Sequence, residues 1–274
     1  MSEQILVLGS TGKTGKRVAE RLQQLQIPRR LGSRKGLPPF NWDEPNNWKE
    51  VLTDIETVYI TFQPDLAIPQ AHEKIKLFTE TAKLCNVKKL VLLSGRGEKQ
   101  AQVCEQIIIE SSLAWTIIRA SWFMQNFSEN FLLDAILSND VVLPIIKSLE
   151  PFVDADDIAD VAVAALTQSK HNNKVYELTG SELLSFNTAT SIIATTSNRK
   201  ISYAEISIDE YVTSLKSYQL PDDFIWLIQY LFTEVLDGRN ESLSNDIENI
   251  LGRKPTRFSD YVNKTEKTGV WKIQ

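Results

Sequence analysis

Short apolar runs alternate with amphipathic helical patterns over the first 180 residues, and this alternation limits the fold more than any other feature of the sequence. The runs are rich in Val, Ile and Leu, which is typical of strands buried on both faces. The sequence therefore predicts an α/β fold, a Rossmann-type doubly wound parallel sheet covered by helices. The predicted strands are 4–9, 29–33, 57–62, 89–94, 114–120 and 174–180, and the predicted helices are 14–26, 46–54, 68–86, 98–112 and 156–168.

The pattern changes near residue 181, after which apolar residues recur mostly at helical spacing. This change predicts two domains, a sheet domain over 1–180 and a smaller, mainly helical lobe over 181–274. Residues 121–155 interrupt the alternation and are expected to contribute to the substrate pocket together with the lobe. A helix over 221–232 is apolar on several sides, so it is either deeply buried or part of a dimer interface.

A net charge of −5 argues against nucleic acid or an anionic membrane as a partner. No run of apolar residues is long enough for a membrane span and the chain starts without a basic leader, which predicts a cytoplasmic protein. We expect a small-molecule substrate and a monomer or homodimer.

No metal site is predicted, because the two histidines, His72 and His171, are far apart in the sequence and the two cysteines, Cys85 and Cys104, fit buried positions. The acidic residues of 154–160 are expected to start a helix rather than hold a cation.

Three glycines, Gly9, Gly12 and Gly15, follow the first strand and precede the first helix. Such glycines permit a tight turn, close approach of a pyrophosphate and close packing of helix on strand. The helix N-terminus then offers N–H donors to the phosphates. The alternative is a turn that serves packing alone. The predicted cradle comprises Gly9, Ser10, Thr11, Gly12, Lys13, Thr14 and Gly15.

The end of the second strand distinguishes NAD from NADP, because an acidic residue there binds the ribose hydroxyl and a basic residue the 2′-phosphate. Here the sequence reads Ser33, Arg34, Lys35, with no carboxylate over 21–42, which predicts NADP(H). Residues 13–35 hold eight Lys or Arg and one acid. We expect Lys13, Arg17 and Arg21, four residues apart, to form a solvated helix face.

Several longer runs resemble the NmrA-like branch of the atypical short-chain dehydrogenases/reductases, over about residues 4–180. Within that branch, "LLSGRG", "WTIIRASWFMQNFSE" and "LFTEVLDGRN" look most like bacterial relatives of the clavine dehydrogenases of ergot-alkaloid synthesis, the festuclavine synthase type. The runs that carry the wider resemblance are "ILVLGSTGKTG", "FNWDEPNNWKEVLTDIETVYIT", "KKLVLLSGRG", "SSLAWTIIRASWFMQNF" and "PFVDADDIADVAVAAL".

The resemblance implies roles for individual residues. Thr11, Gly12 and Thr14 would cradle the pyrophosphate, and Arg34 would meet the 2′-phosphate. The other implied contacts are Asn41 and Trp42 with the adenine, Phe62, Gln63 and Pro64 with the adenosine ribose, and Ser94, Gly95, Trp122 and Phe123 with the nicotinamide. Trp122, Phe123, Gln125 and Asn126 also suit a substrate pocket, with core packing as the alternative for the aromatic residues.

The sequence departs from ordinary short-chain dehydrogenases at the catalytic acid. Those enzymes pair a Tyr with a Lys four residues later, so that the Tyr protonates the developing alkoxide. None of the seven tyrosines has a Lys at that position. Ser94 and Glu98 are weak catalytic candidates, and Glu98 or Glu150 could stabilise a cationic substrate. The alternative for both glutamates is solvent exposure.

These observations favour an NADPH-dependent reductase of a small acceptor that is already activated, such as an iminium, a quinone or a conjugated carbonyl. The alternative from another class is a non-catalytic NADP(H) sensor that binds a protein partner. A third interpretation is an isomerase or lyase that retains a bound nucleotide.

Overall fold

The structure is a computed structural model that describes residues 4–129 and 131–272. The chain divides into two compact units. Unit 1 comprises Met1–Ala120, Ala155–Leu178 and Asn249–Gly252, and unit 2 comprises Ser121–Asp154, Thr179–Glu248 and Arg253–Gln274. The domain boundary at residue 181 stays a prediction.

Eight strands and eleven α-helices are formed by the described residues. The strands are β1 (Ile5–Leu8), β2 (Arg29–Gly32), β3 (Thr57–Ile60), β4 (Lys89–Gly95), β5 (Ala114–Ala120), β6 (Asp140–Pro144), β7 (Lys174–Leu178) and β8 (Ser202–Ile206). The helices are α1 (Lys13–Gln24), α2 (Trp48–Val51), α3 (Ala71–Leu84), α4 (Lys99–Ile109), α5 (Leu133–Leu137), α6 (Ala155–Thr167), α7 (Phe186–Thr196), α8 (Ile208–Ser217), α9 (Asp222–Tyr230), α10 (Asp246–Leu251) and α11 (Phe258–Glu266).

The sheet of unit 1 has six parallel strands in the order β2-β1-β3-β4-β5-β7. All four residues of β1 are buried, as expected for a central strand covered on both faces. The doubly wound parallel sheet predicted from the alternation is therefore confirmed. Its carboxyl edge is where such folds bind their ligands.

An aromatic cluster lies in the core of unit 1. The Phe40, Trp48 and Phe78 rings lie within 5.9 Å of one another, centroid to centroid. Trp48 and Phe78 are fully buried. Cys104 is buried in the same core, as predicted, whereas Cys85 is half-buried at its edge.

Unit 2 is mainly helical, with one parallel pair of strands, β6 and β8, that the sequence interpretation did not contain. Its core is aromatic, and Phe127, Phe152 and Phe186 pack edge to face in it. In the apolar segment 221–232, Ile225, Leu227, Ile228 and Phe232 are buried, whereas Trp226 is 39% exposed, so one side of the segment is buried and the other is not.

The prediction of a solvated face on α1 is wrong for two of its arginines, Arg17 and Arg21. Arg17 donates to Asp156 at 3.2 Å, and Arg21 binds both Asp156, at 3.0 Å, and Asp160. The acidic residues do lie at the start of α6, but they also hold α1 against it. Sequence spacing missed this contact because α1 and α6 are far apart along the chain.

Within the part of the chain that the structure describes, no helix is both long and apolar enough to cross a membrane.

Candidate functional site

The glycine turn after β1 can hold no other residue type at two of its three positions. Gly9 has φ +65°, and a Cβ there would lie 2.1 Å from the Thr61 hydroxyl oxygen. A Cβ on Gly15 would lie 2.2 Å from the carbonyl oxygen of Gly9. The turn therefore combines a left-handed backbone with close packing of α1 on β1, which is the geometry of a phosphate-binding turn.

The first turn of α1 presents an electropositive end. Gly12 is its N-cap, no side chain caps it, and no acidic residue lies in the first turn. Thr11 and Gly12 are exposed beside it. A helix end of this kind favours an anion. The residues present therefore fit a pyrophosphate.

The hydroxyl groups of the turn differ from one another. Ser10 is buried, and both its backbone N–H and its Oγ donate to the Gly32 carbonyl oxygen at 3.3 Å. The Ser10 hydroxyl thus holds the turn after β1 against β2 and is not directed to a ligand. Thr14 is also buried, which leaves Thr11 as the exposed hydroxyl of the predicted cradle.

Arg34 and Lys35 lie in a tight turn that follows β2. The Gly36 N–H donates to the Ser33 carbonyl at 2.9 Å and closes it. Both cationic side chains are exposed, and within residues 4–129 and 131–272 neither forms an ion pair. Two uncompensated cations at the carboxyl end of β2 fit a 2′-phosphate.

The residues implied for the adenosine divide between core and surface. Trp42 donates from Nε1 to the Thr61 carbonyl at 3.1 Å, and its ring centroid lies 4.8 Å from that of Phe62. Both rings belong to the core of unit 1, whereas Gln63 and Pro64 are exposed. Asn41 accepts from the Asp43 N–H and donates to Glu44.

Ser94, a catalytic candidate, is bound to a buried charged network. Its Oγ donates to Glu105 Oε1 at 2.6 Å, and Arg119 donates to both Glu105 oxygens at 2.7–3.1 Å. Arg96 and Arg119 both contact Glu177. Ser94 is thus a positioned hydroxyl whose proton is already donated to Glu105.

Glu98, the other candidate, lies between β4 and α4 with only 8% of its surface exposed. Its carboxyl group lies beside that of Asp65 and covers Gly95. Burial, Asp65 and Glu105 raise its pKa well above the usual range. The alternative of solvent exposure is therefore wrong for Glu98. Because a neutral carboxyl group carries no negative charge, the raised pKa also argues against the expected stabilisation of a cationic substrate by Glu98.

The residues predicted for the substrate lie in unit 2. Trp122, Phe123 and Asn126 are half-buried. Gln125 and Glu150 are each 2% exposed, so solvent exposure is wrong for Glu150 as well. Gln125 donates to Asp154 at 2.7 Å, and Glu150 accepts the Trp122 N–H at 3.1 Å.

The aromatic residues of 122–127 serve the core of unit 2 at least in part. Met124 and Phe127 are fully buried there, and the Trp122 ring packs edge to face on Phe186 at 5.3 Å between centroids.

Three polar residues of unit 1 escaped sequence reasoning: Asp65, Glu105 and Arg119. Arg119 and Glu105 come from predicted strand and helix interiors, where an isolated charge in an apolar segment was the only signal. Asp65 directly follows the Gln63–Pro64 segment that was singled out. Among the described residues, no three His, Cys, Asp or Glu side chains converge as metal ligands do.

Comparison with known proteins agrees with this geometry. The chain is 28% identical over 290 residues to agroclavine dehydrogenase of Claviceps fusiformis, covering 97% of this chain and 98% of that protein. It is 30% identical over 282 residues to festuclavine synthase II of Penicillium roqueforti, covering 93% and 96%. The chain belongs to the family of these proteins, the NmrA-like atypical short-chain dehydrogenases/reductases. No family model matches the sequence.

As a member of this NmrA-like family, the chain is an oxidoreductase of the nicotinamide-dependent class. Solved structures share its fold. An NADPH-dependent quinone oxidoreductase of Escherichia coli superposes with a TM-score of 0.80 at 18% identity, covering 95% of this chain and 99% of that one. At this identity the likeness concerns the fold, and the chemistry has to be argued from the site.

Proposed function

We propose that this chain is an NADPH-dependent reductase that transfers a hydride to a small, pre-activated acceptor. The observation that carries the cofactor preference is the turn after β2, where Arg34 and Lys35 are exposed without an acidic partner among the described residues. The glycine cradle and the uncapped start of α1 support a pyrophosphate beside them. When bound, NADPH would supply the hydride.

The acceptor class follows from the missing Tyr-Lys pair. Hydride addition to a plain ketone creates an alkoxide that needs a strong proton donor, whereas addition to an iminium neutralises an existing charge. Quinones and conjugated carbonyls spread the new charge over a larger system. The name of one structural neighbour, an NADPH-dependent quinone oxidoreductase, supports the same class of acceptor.

The function is tested by mixing the protein with NADPH and a panel of iminium ions, quinones and enones while NADPH absorbance is followed. We expect turnover of at least one class. Tight NADP(H) binding without turnover of any acceptor would contradict the reductase and favour a cofactor sensor.

Cofactor preference is tested at Arg34. Replacement by Ala removes a charge-assisted contact with the 2′-phosphate, so Arg34→Ala should weaken NADPH binding by about 1–3 kcal/mol and leave NADH binding nearly unchanged. Fluorescence titration with both cofactors measures the two values.

The matched control is Lys49→Ala, which removes the same charge from an exposed position on α2. It should change neither affinity. Equal losses for NADPH and NADH in Arg34→Ala would contradict the assignment.

A further inference from the structure

Two carboxyl groups meet at the carboxyl edge of the sheet in unit 1. Asp65 follows β3 and Glu98 follows β4, and these strands are neighbours. The Asp65 carboxyl lies beside that of Glu98 and raises its pKa, and Asp65 Oδ1 accepts the Ala67 N–H at 2.8 Å. Two adjacent carboxyl groups, one of them buried, resist double ionisation, which favours one proton on the pair.

The Glu98 carboxyl is fitted against Gly95, the residue expected beside the nicotinamide. A Cβ on Gly95 would lie 1.9 Å from Glu98 Oε1 and 2.3 Å from Oε2, so only glycine admits the carboxyl there. Oε2 is fully buried and accepts no hydrogen bond from any N–H or hydroxyl of the described residues. One oxygen of the pair is therefore left for a further partner.

Burial and the neighbouring acidic groups favour the neutral form of the pair, whereas the Ala67 N–H lowers the pKa of Asp65. Asp65 faces it from the segment after β3, and Cys104 and Glu105 face it from α4. Burial raises the pKa of Asp65 and, together with Glu105 and Asp65, raises the pKa of the Cys104 thiol to about 12. The cation Arg119 is bound to Glu105, so it stabilises that carboxylate rather than Glu98.

Two hydroxyl groups of unit 1, those of Ser94 and Tyr59, are less suited to donate a proton. The Ser94 hydroxyl donates to Glu105. Tyr59 is fully buried within β3, and burial raises the pKa of its phenol. The Tyr59 hydroxyl and Glu98 Oε2 are both buried without a hydrogen-bond partner among the described residues, and a carboxylic acid gives up its proton more readily than a phenol, so Glu98 is the better donor.

We propose that Glu98, supported by Asp65, is the proton donor that this chain uses in place of the missing tyrosine. The inference rests on the proposed reductase function. A quinone or enone gains a C–H bond from the hydride while NADPH is oxidised to NADP⁺, and the displaced electron pair moves to the acceptor oxygen. That oxygen takes the Glu98 proton, and water then reprotonates the carboxylate. Iminium ions need no such proton.

The first test needs neither cofactor nor turnover. Infrared difference spectroscopy of the cofactor-free protein at neutral pH compares wild type with Glu98→Gln. We expect a carboxylic-acid carbonyl band in wild type that the variant lacks. Its absence from wild type would overturn the proposal, because an ionised Glu98 has no proton to give.

The second test compares acceptor classes in Glu98→Gln, with Glu80→Gln on the exposed face of α3 as the matched control. We expect kcat for quinones and enones to fall about 10²- to 10⁴-fold, with a much smaller loss for iminium ions and an unchanged Kd for NADPH. An equal loss for all acceptors would indicate a structural role and overturn the proposal. The unchanged Kd shows that the variant is folded.

Asp65→Asn gives an independent measurement. Removing the second carboxyl lowers the affinity of Glu98 for its proton, so the alkaline limb of the kcat profile for quinones should move to lower pH. An unmoved limb would contradict the pair. If wild type reduces no acceptor, the reductase function and the donor role both fail, while the infrared band still shows whether the carboxyl pair holds its proton.

Discussion

Glu98 and Glu105 are two buried glutamates, one immediately before α4 and the other in its middle, and the fold gives them opposite partners. Glu105 contacts Arg119, which donates to both carboxylate oxygens. Glu98 contacts a second carboxyl group, that of Asp65. Burial and the Asp65 carboxyl both disfavour a charge on Glu98, whereas Glu105 forms an ion pair with Arg119. The comparison separates a carboxylate that stabilises the sheet from a carboxyl available for chemistry.

The largest effect is expected when Glu105 loses its cation. Arg119→Leu leaves a buried carboxylate without compensation, which should lower the free energy of unfolding by about 3–5 kcal/mol. Urea unfolding measures the loss.

A matched control is Lys254→Leu, which breaks an exposed ion pair with Glu248 and should cost less than about 1 kcal/mol. If Arg119→Leu cost no more than this control, the contrast between the two buried glutamates would be wrong.

A smaller effect is expected from the pH dependence of stability. The folded-state pKa of Glu98 is raised above its unfolded value, so the folded state binds more protons. The stability contributed by this proton is complete below the unfolded pKa and is lost as the pH rises toward the folded pKa, by at most about 1.4 kcal/mol per pH unit. Asp65 acts in the same direction.

Glu98→Gln removes this titration, so its stability should fall less with rising pH than that of wild type. Urea unfolding of both proteins between about pH 5 and 8 measures the difference. The range starts at about pH 5 because carboxyl groups of the unfolded chain titrate below it. Parallel curves for the two proteins would show that Glu98 is not the proton-holding group.

The strands of unit 1 and the glycine turn could be predicted because their signals are local. The strand predicted over 114–120 is β5 with the same bounds, since a continuous apolar run is sufficient to recognise a buried strand. Gly9 and Gly15 were recognised from their position between strand and helix. The β6–β8 pair was missed because β8, with the sequence SYAEI, is mostly exposed and has no continuous apolar run.

By itself, the sequence determined the doubly wound sheet, the glycine turn and the exposed cations after β2. These depend on periodicity and on neighbours within a few residues. Only the tertiary structure decided which charges are compensated. Arg21 forms an ion pair with Asp160, Arg119 forms one with Glu105, and Asp65 lies beside Glu98. The members of each pair come from different elements, so their charge states depend on how strands and helices pack and cannot be read from spacing along the chain.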